Sequence, residues 1–223
     1  MSATCLASPR PIVRPQEVPR WLAVMYVFEQ TAAIGVLLLL APFLVALGVL
    51  IWTISGRSPL VAHLRVGQDG QPLWVLKYRT MWDVGASFSL RSVRLVERIT
   101  ESVSPAKPLR DPRVTSRFAQ FCRRHSIDEL PQLLHIARGK MSLVGPRPIT
   151  AVELEEHYGA HAAEVLSARP GLTGLWQIMG RNRLTYHQRL RLDRFLVRHC
   201  CVRLYLRIVL RTIPRVLTGK DAW

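Results

Sequence analysis

Acidic residues are scarce in this chain: 15 Asp and Glu stand against 31 Lys and Arg among 223 residues, a net charge of +16. So one-sided a balance calls for an anionic partner: nucleic acid, an acidic lipid surface or phosphorylated substrates. Cysteine is scarce too. Cys5, Cys122, Cys200 and Cys201 form no C-x-x-C and no paired metal-ligand spacing, which sets aside a disulfide framework and a structural zinc site and leaves four reduced, cytosolic thiols. Charge disappears altogether from Gln30 to Gly56, a run of 27 residues that includes Val36-Leu37-Leu38-Leu39-Leu40. As one helix it would be about 40 Å long, against a hydrocarbon core of about 30 Å. The run is too long for a secretory signal peptide.

Residues 1–20 carry four prolines and three arginines and form a flexible N-terminal tail. Residues 21–56 make the membrane segment. Two forms of it stay open. An ordinary spanning helix is one; a re-entrant helix is the other, because Pro42 lies near the middle of the run and positive charge flanks both ends, with Arg10, Arg14 and Arg20 before it and Arg57 and Arg65 after. Both ends satisfy the positive-inside tendency only if the helix breaks at Pro42 and returns to the face it entered. At the far end Arg203, Arg207, Arg211 and Arg215 recur every four residues among leucine, isoleucine and valine. That pattern suits an amphipathic helix lying in an anionic lipid interface, its arginines reaching lipid phosphates.

Chemistry concentrates between Arg123 and Pro148. Asp128 and Glu129 stand side by side, with Arg123 and Arg124 upstream, and Leu130, Leu133, Leu134 and Ala137 follow at the spacing of one helix face, closed by Gly139. Ser126-Ile127-Asp128-Glu129 also fits a capping box, which would make the acids structural; Pro131 argues for a helix that begins nearer Asp128. Downstream, two prolines fix the backbone on either side of Arg147 in Gly145-Pro146-Arg147-Pro148. Upstream, Arg65 to Gln71 reads as a turn between two short strands, and the second, Leu73–Leu76, delivers Lys77 and Arg79 to one strand face. Residues 149–168 read as an amphipathic helix, and 82–110 as a variable helix and loop. His125, His135, His157 and His161 are read as surface or packing residues.

Lys77-Tyr78-Arg79-Thr80-Met81, the acid-pair segment, and Arg169-Pro170-Gly171-Leu172-Thr173-Gly174-Leu175-Trp176-Gln177-Ile178 occur in the order found in the monotopic phosphoglycosyl transferases, the bacterial sugar transferases that this chain closely resembles from about Trp21 to about Leu217. The resemblance implies an α/β, mostly α fold. A re-entrant membrane helix broken at Pro42 would carry a small cytosolic catalytic domain, residues 57–223, with amphipathic interfacial helices and a short β-hairpin. It implies transfer of a sugar 1-phosphate from a UDP-sugar to undecaprenyl phosphate with release of UMP, the first step of exopolysaccharide, O-antigen or glycoconjugate assembly. Asp128 would be the nucleophile of a covalent aspartyl-phosphosugar intermediate and Glu129 its catalytic partner. Arg123, Arg147, Lys77 and Arg79 would bind phosphate, and Glu129 with Asp193 would hold Mg²⁺. Expected partners are the UDP-sugar, undecaprenyl phosphate and anionic membrane lipids, with a homodimer left open and nucleic acid not among them. The expected location is the bacterial inner membrane, with the catalytic domain on its cytoplasmic face.

Three positions depart from the family pattern: Ala41 stands where serine is usual before the break-point proline, Ala119 where glycine is usual, and Tyr205 where aspartate is usual. They keep an inactive membrane adaptor in view. The charge alone keeps a membrane-tethered nucleic-acid-binding protein in view, although no nucleic-acid motif is present and that role gives no reason for the acid pair.

Overall fold

The computed structural model describes residues 19–81, 95–100, 116–180 and 183–219. The N-terminal tail up to residue 18, most of the segment read as a variable helix and loop, and the Asp111-Pro112-Arg113-Val114-Thr115 stretch lie outside the described residues.

Helix α1 runs from Arg20 to Ser55, 36 residues, and stops at Gly56, whose φ of 64° turns the chain left-handed while its N–H donates to the Trp52 carbonyl. It is long and apolar enough to cross a membrane by length and composition. Helical residues continue through Pro42, whose missing N–H removes one backbone bond and favours a bend. Glu29, Ala33, Leu47, Ile51 and Ser55 are buried along one stripe, and both halves of that stripe are anchored. Ala33 packs with Leu73, Val75, Leu133, Ile136 and Met141, whereas Leu47 and Ile51 pack with Tyr78, Leu60, Phe118 and Ile127. The rest of the helix turns apolar side chains outward, Leu38 and Leu39 being 72% and 78% exposed. Apolar faces on so many sides of one helix require apolar surroundings.

After α1 come β1 (Leu60–Val66) and β2 (Pro72–Tyr78), antiparallel in the register Leu60↔Tyr78 through Val66↔Pro72. The turn between them holds Asp69 at φ 53° and Gly70 at φ 75°, so the hairpin expected around residues 65–71 is present. Strand β3 (Val96–Ile99) lies parallel on the other side of β1. For these four residues it corrects the reading of 82–110 as helix and loop: Val96–Ile99 complete the sheet edge although the local sequence has no strand alternation.

Next is α2 (Arg117–Arg124), capped by the Ser116 side chain, which accepts the Ala119 N–H. Ala119 and Cys122 are its buried face. A tight 3₁₀ stretch, Ile127–Gln132, holds Pro131 and leads into α3 (Leu133–Ala137), closed by Gly139 at φ 68°. The capping-box option at Ser126 is not what forms. Ser126 is at φ 54° and its side chain caps nothing, because Pro131 and the left-handed turn preclude an ordinary α-helical first turn there.

Beyond α3, β4 (Ser142–Val144) leads to a broken helical stretch. It comprises α4 (Ala151–Glu153), a wide turn at Leu154–Tyr158, a 3₁₀ turn at Gly159–His161 and α5 (Ala162–Leu166). This corrects the single amphipathic helix expected over 149–168. Gly159 at φ 44° interrupts it, while Tyr158 and Val165 still reach one core with Ile149 and Leu190. Strand β5 (Gly171–Thr173) pairs parallel with β4. Helices α6 (Leu175–Met179), α7 (Tyr186–His199) and α8 (Val202–Thr218) finish the chain. Tyr205 and Ile208 of α8 are fully buried against Val144, Leu175, Ile178 and Leu196, so the departure at Tyr205 has become core. On the same helix Arg203, Arg207 and Arg211 are exposed together with Leu206, Leu210, Ile213 and Leu217.

Candidate active site

The turn from α2 into the acid pair depends on Ser126. Its left-handed backbone is uncommon for a residue with a β-carbon; it lets the Ser126 N–H reach the Arg123 carbonyl and the Glu129 N–H reach the Ser126 carbonyl. The reversal drops Asp128 inward, 8% exposed, and leaves Glu129 half-buried at the rim. Strand β2 runs beside it, and Lys77 donates through Nζ to Glu129 Oε1 at 2.6 Å. The strand is held from behind by His135. Its Nε2 accepts the Leu76 N–H at 3.2 Å, and burial pushes the ring down to about 4, so it is a neutral acceptor at pH 7.

Four of the expected residues therefore form one group: Lys77, Arg123, Asp128 and Glu129. Burial pushes the Asp128 carboxyl up to about 6, with Glu129 adding to the rise and Lys77 and Arg123 opposing it. A carboxylate so placed is poorly hydrated, which strengthens it as a nucleophile, and it is still ionised at pH 7. Arg79 does not join them. Its guanidinium is buried, donating from Nε to the Ser58 carbonyl at 2.8 Å and from an Nη to Glu97 Oε2 at 2.5 Å. The expectation of two cations on one strand face is corrected for this reason: β2 ends at Tyr78, and Arg79 turns to tie the strand end to β3 and to the segment before β1.

Arg147 and Asp193 meet in a second group. The Arg147 guanidinium lies 5.6 Å from the Trp176 ring centre, and Arg189 lies 4.9 Å from the same ring. Asp193 is fully enclosed, its Oδ2 taking a long 3.4 Å bond from the Tyr158 hydroxyl and its Oδ1 without a partner. Burial pushes its carboxyl up to about 8, against the hydrogen bond from Tyr158 and the positive charges of Arg147 and Arg189.

Among the described residues no three His, Cys, Asp or Glu side chains converge on one point. A magnesium ion needs no such cage, since one or two carboxylates plus substrate oxygens suffice. Glu129, at the rim and next to a second carboxylate, fits that demand. Asp193 fits it less well, since it is fully enclosed and the charged groups acting on it are the arginines Arg147 and Arg189.

What joins the second group to the rest of the molecule is a backbone clasp that sequence reading missed. The Gly145 N–H donates to the Thr173 carbonyl and the Gly171 N–H to the Pro146 carbonyl, at 3.0 and 2.8 Å. A β-carbon on Gly145 would lie 2.3 Å from the Arg169 oxygen, one on Gly171 2.1 Å from the Gly145 nitrogen, and one on Gly174 2.5 Å from the Gly145 oxygen. Main-chain hydrogen bonds hold the Pro-Arg-Pro turn against the Arg169–Gly174 loop. Both are tied to α1. Glu29, 1% exposed, accepts from the Ser142 hydroxyl at 3.0 Å and from the Leu143 N–H at 3.1 Å. The Arg169 guanidinium covers the Tyr26 ring at 4.1 Å. Glu29 had a signal in the sequence, as the last acid before the charge-free run; the glycine clasp, between residues far apart in the chain, had none.

Known proteins are similar to this chain along most of its length. The family model described as bacterial sugar transferase matches residues 21–219. The exopolysaccharide production protein ExoY of Rhizobium meliloti (strain 1021) is 40% identical over 197 residues, covering 88% of this chain and 86% of that protein. The UDP-galactose-lipid carrier transferase of Erwinia amylovora is 37% identical over 206 residues, which is 88% of this chain but 41% of that longer protein. The UDP-glucose:undecaprenyl-phosphate glucose-1-phosphate transferase of Caulobacter vibrioides (strain ATCC 19089 / CIP 103742 / CB 15) is 36% identical over 206 residues, 88% of this chain and 71% of that protein.

Proposed function

The chain belongs to the bacterial sugar transferase family and is a transferase, and from that premise we propose that it moves a sugar 1-phosphate from a UDP-sugar to undecaprenyl phosphate at the cytoplasmic face of the bacterial inner membrane, opening the assembly of an exopolysaccharide or related glycan. The observation that carries the proposal is the pair Asp128–Glu129, one acid buried and the other at the rim, set between Lys77 and Arg123 on a domain gripped by an apolar helix.

An Asp128 oxygen attacks the phosphorus that bears the sugar. The bond from that phosphorus to the bridging oxygen breaks, UMP leaves with the electron pair, and an aspartyl phosphosugar forms. An anionic oxygen of undecaprenyl phosphate then attacks the same phosphorus, the bond to Asp128 breaks, and the carboxylate is restored as the lipid diphosphate sugar departs. Lys77 and Arg123 balance the negative charge that gathers around the acid pair during each displacement. Arg147, braced on Trp176 and fixed by its two prolines, presents a planar fork to phosphate oxygens from the second group. Glu129 would hold Mg²⁺ together with substrate oxygens, and the ion would supply additional neutralisation of phosphate charge. Purified enzyme in detergent or nanodiscs, given a panel of UDP-sugars and undecaprenyl phosphate, is expected to release UMP and form lipid-linked product with one or a few donors. Release with none of them would refute the proposal.

The topology belongs to the same proposal. Both halves of α1 are packed on one domain, Glu29 and Ala33 at one end of the stripe and Leu47 and Ile51 at the other. A helix crossing the bilayer would carry one of these anchor points to the far side, whereas a re-entrant helix bent near Pro42 keeps both at one surface. The exposed arginines and leucines of α8 suit the same surface. With the four native cysteines replaced by serine, single cysteines introduced at Ser2 and Ala222 are expected to resist impermeant thiol reagents in intact cells and to react after permeabilisation. Labelling of just one of the two from outside would contradict re-entry.

A further inference from the structure

A cavity of about 400 Å³ lies where the second half of α1 meets the base of the sheet. Its walls include Leu44, Gly48, Val49 and Trp52 of α1, with Leu60 of β1 and Tyr78 of β2. Among the described residues no charged side chain lines it. Tyr78 spends its hydroxyl on the Leu44 carbonyl at 2.7 Å, which leaves the ring as wall. Gly48 is not forced by the backbone: a β-carbon there would make ordinary contact with the Tyr78 ring at 3.8 Å. The missing side chain leaves room instead. Val45 and Val49 are 67% and 51% exposed, so the helix side of the cavity opens toward whatever surrounds α1.

Two features say what would fill it. From Leu44 to Trp52 the cavity follows the helix for about 12 Å, room for about two or three isoprene units end to end. Its inner wall lies near the acid pair in the fold: Tyr78 belongs to the cluster against which Ile127, the residue before Asp128, is packed, and it follows Lys77, which holds Glu129. A slender apolar chain entering beside α1 would bring an anionic head group to the Lys77–Arg123 charges without dehydrating any charge along the way. Resting on the transferase reading above, we propose that this cavity binds the phosphate-proximal isoprene units of the lipid acceptor and so sets acceptor specificity.

The test uses the full chain and separates the two half-reactions. UMP released from the UDP-sugar before acceptor is added reports the donor step; turnover with isoprenyl phosphates of one to about five units reports the acceptor step. The unaltered chain is expected to lower its acceptor KM with each of the first two or three units and then level off. Gly48→Phe should fill the cavity, raise the acceptor KM about tenfold and flatten that dependence, with the loss confined to the acceptor step. Val49→Phe, at a half-exposed wall position, should give the same split if Gly48→Phe fails to fold. Leu39→Phe, outward-facing and off the cavity, should change neither step. An acceptor KM and length dependence that Gly48→Phe and Val49→Phe leave untouched would overturn the assignment, as would equal loss of both steps in a variant that folds. An identical KM shift for straight-chain alkyl phosphates would also overturn it, since the cavity would then take acyl chains in general. An unaltered chain that releases no UMP from any UDP-sugar would instead bring down the transferase reading itself, and the acceptor site with it.

Discussion

Asp128→Asn is expected to reduce UMP release by roughly 10³-fold or more, the order of loss seen when a covalent nucleophile is removed, while leaving the protein folded. The amide keeps the size of the side chain and loses the negative oxygen. Folding should even gain. Burial raises the Asp128 carboxyl to about 6 from an ordinary value near 4, so the native state binds a proton more tightly than the unfolded chain. A group raised in this way opposes folding as pH climbs between those two values and keeps its full penalty above the higher one. At pH 7 that penalty is roughly 1–3 kcal/mol, and the neutral amide removes it. A dead variant that melts no lower than the parent is the expected pair of results, read by UMP assay and thermal denaturation on the same sample. The same carboxyl sets the pH profile of the parent. The reactive form is the ionised one, so donor-step rates should fall about tenfold per unit as pH drops below about 6. Near-normal UMP release by Asp128→Asn would remove Asp128 as nucleophile, and a donor step flat from pH 7 to pH 5 would remove the buried carboxylate from the rate equation.

Much of this site was legible in the sequence because its parts are local. The charge-free run needs only its own composition to announce α1, and the turn around Asp69 needs only its neighbours to place the hairpin and hence Lys77. The acid pair also announced itself, although its local backbone did not. Ser-x-x-Glu fits a helix cap, and what forms instead is a left-handed Ser126 followed by a 3₁₀ stretch. The less legible parts depend on contacts between distant segments. Alternation places Arg79 on the same face as Lys77, but Glu97 and the Ser58 carbonyl, supplied by other strands and loops, take the guanidinium away. Asp193 reads as one more carboxylate near a phosphate site; only its full enclosure beneath Tyr158, which pushes its carboxyl upward, sets it apart. A periodic pattern over 149–168 is real, since Tyr158 and Val165 do share a core, yet Gly159 divides the helix that the pattern implies.

Gly171→Ala is expected to be the most damaging of the small substitutions, through a route that touches no charge. The new methyl group would sit 2.1 Å from the Gly145 nitrogen and 2.4 Å from the Thr173 oxygen. Both are main-chain atoms and neither can swing aside as a side-chain tip would. Relief requires the Pro-Arg-Pro turn to separate from the Arg169–Gly174 loop, which would break the Gly145-to-Thr173 and Gly171-to-Pro146 hydrogen bonds. Overpacking of this kind costs about 1–3 kcal/mol and more where backbone is the obstacle. Because Arg147 is set by that turn and Trp176 follows the loop, activity should fall further than stability does, by two orders of magnitude or so. Gly35→Ala supplies the comparison. Nothing lies within 4 Å of a β-carbon there, and alanine in a helix interior is favoured over glycine by about 0.5–1 kcal/mol, so that variant should melt as high as the parent or higher and keep its turnover. Differential scanning fluorimetry with the UMP assay reads both. If Gly171→Ala keeps parental melting and turnover, then the two loops are not clasped backbone to backbone, and the orientation of Arg147 must come from its prolines alone.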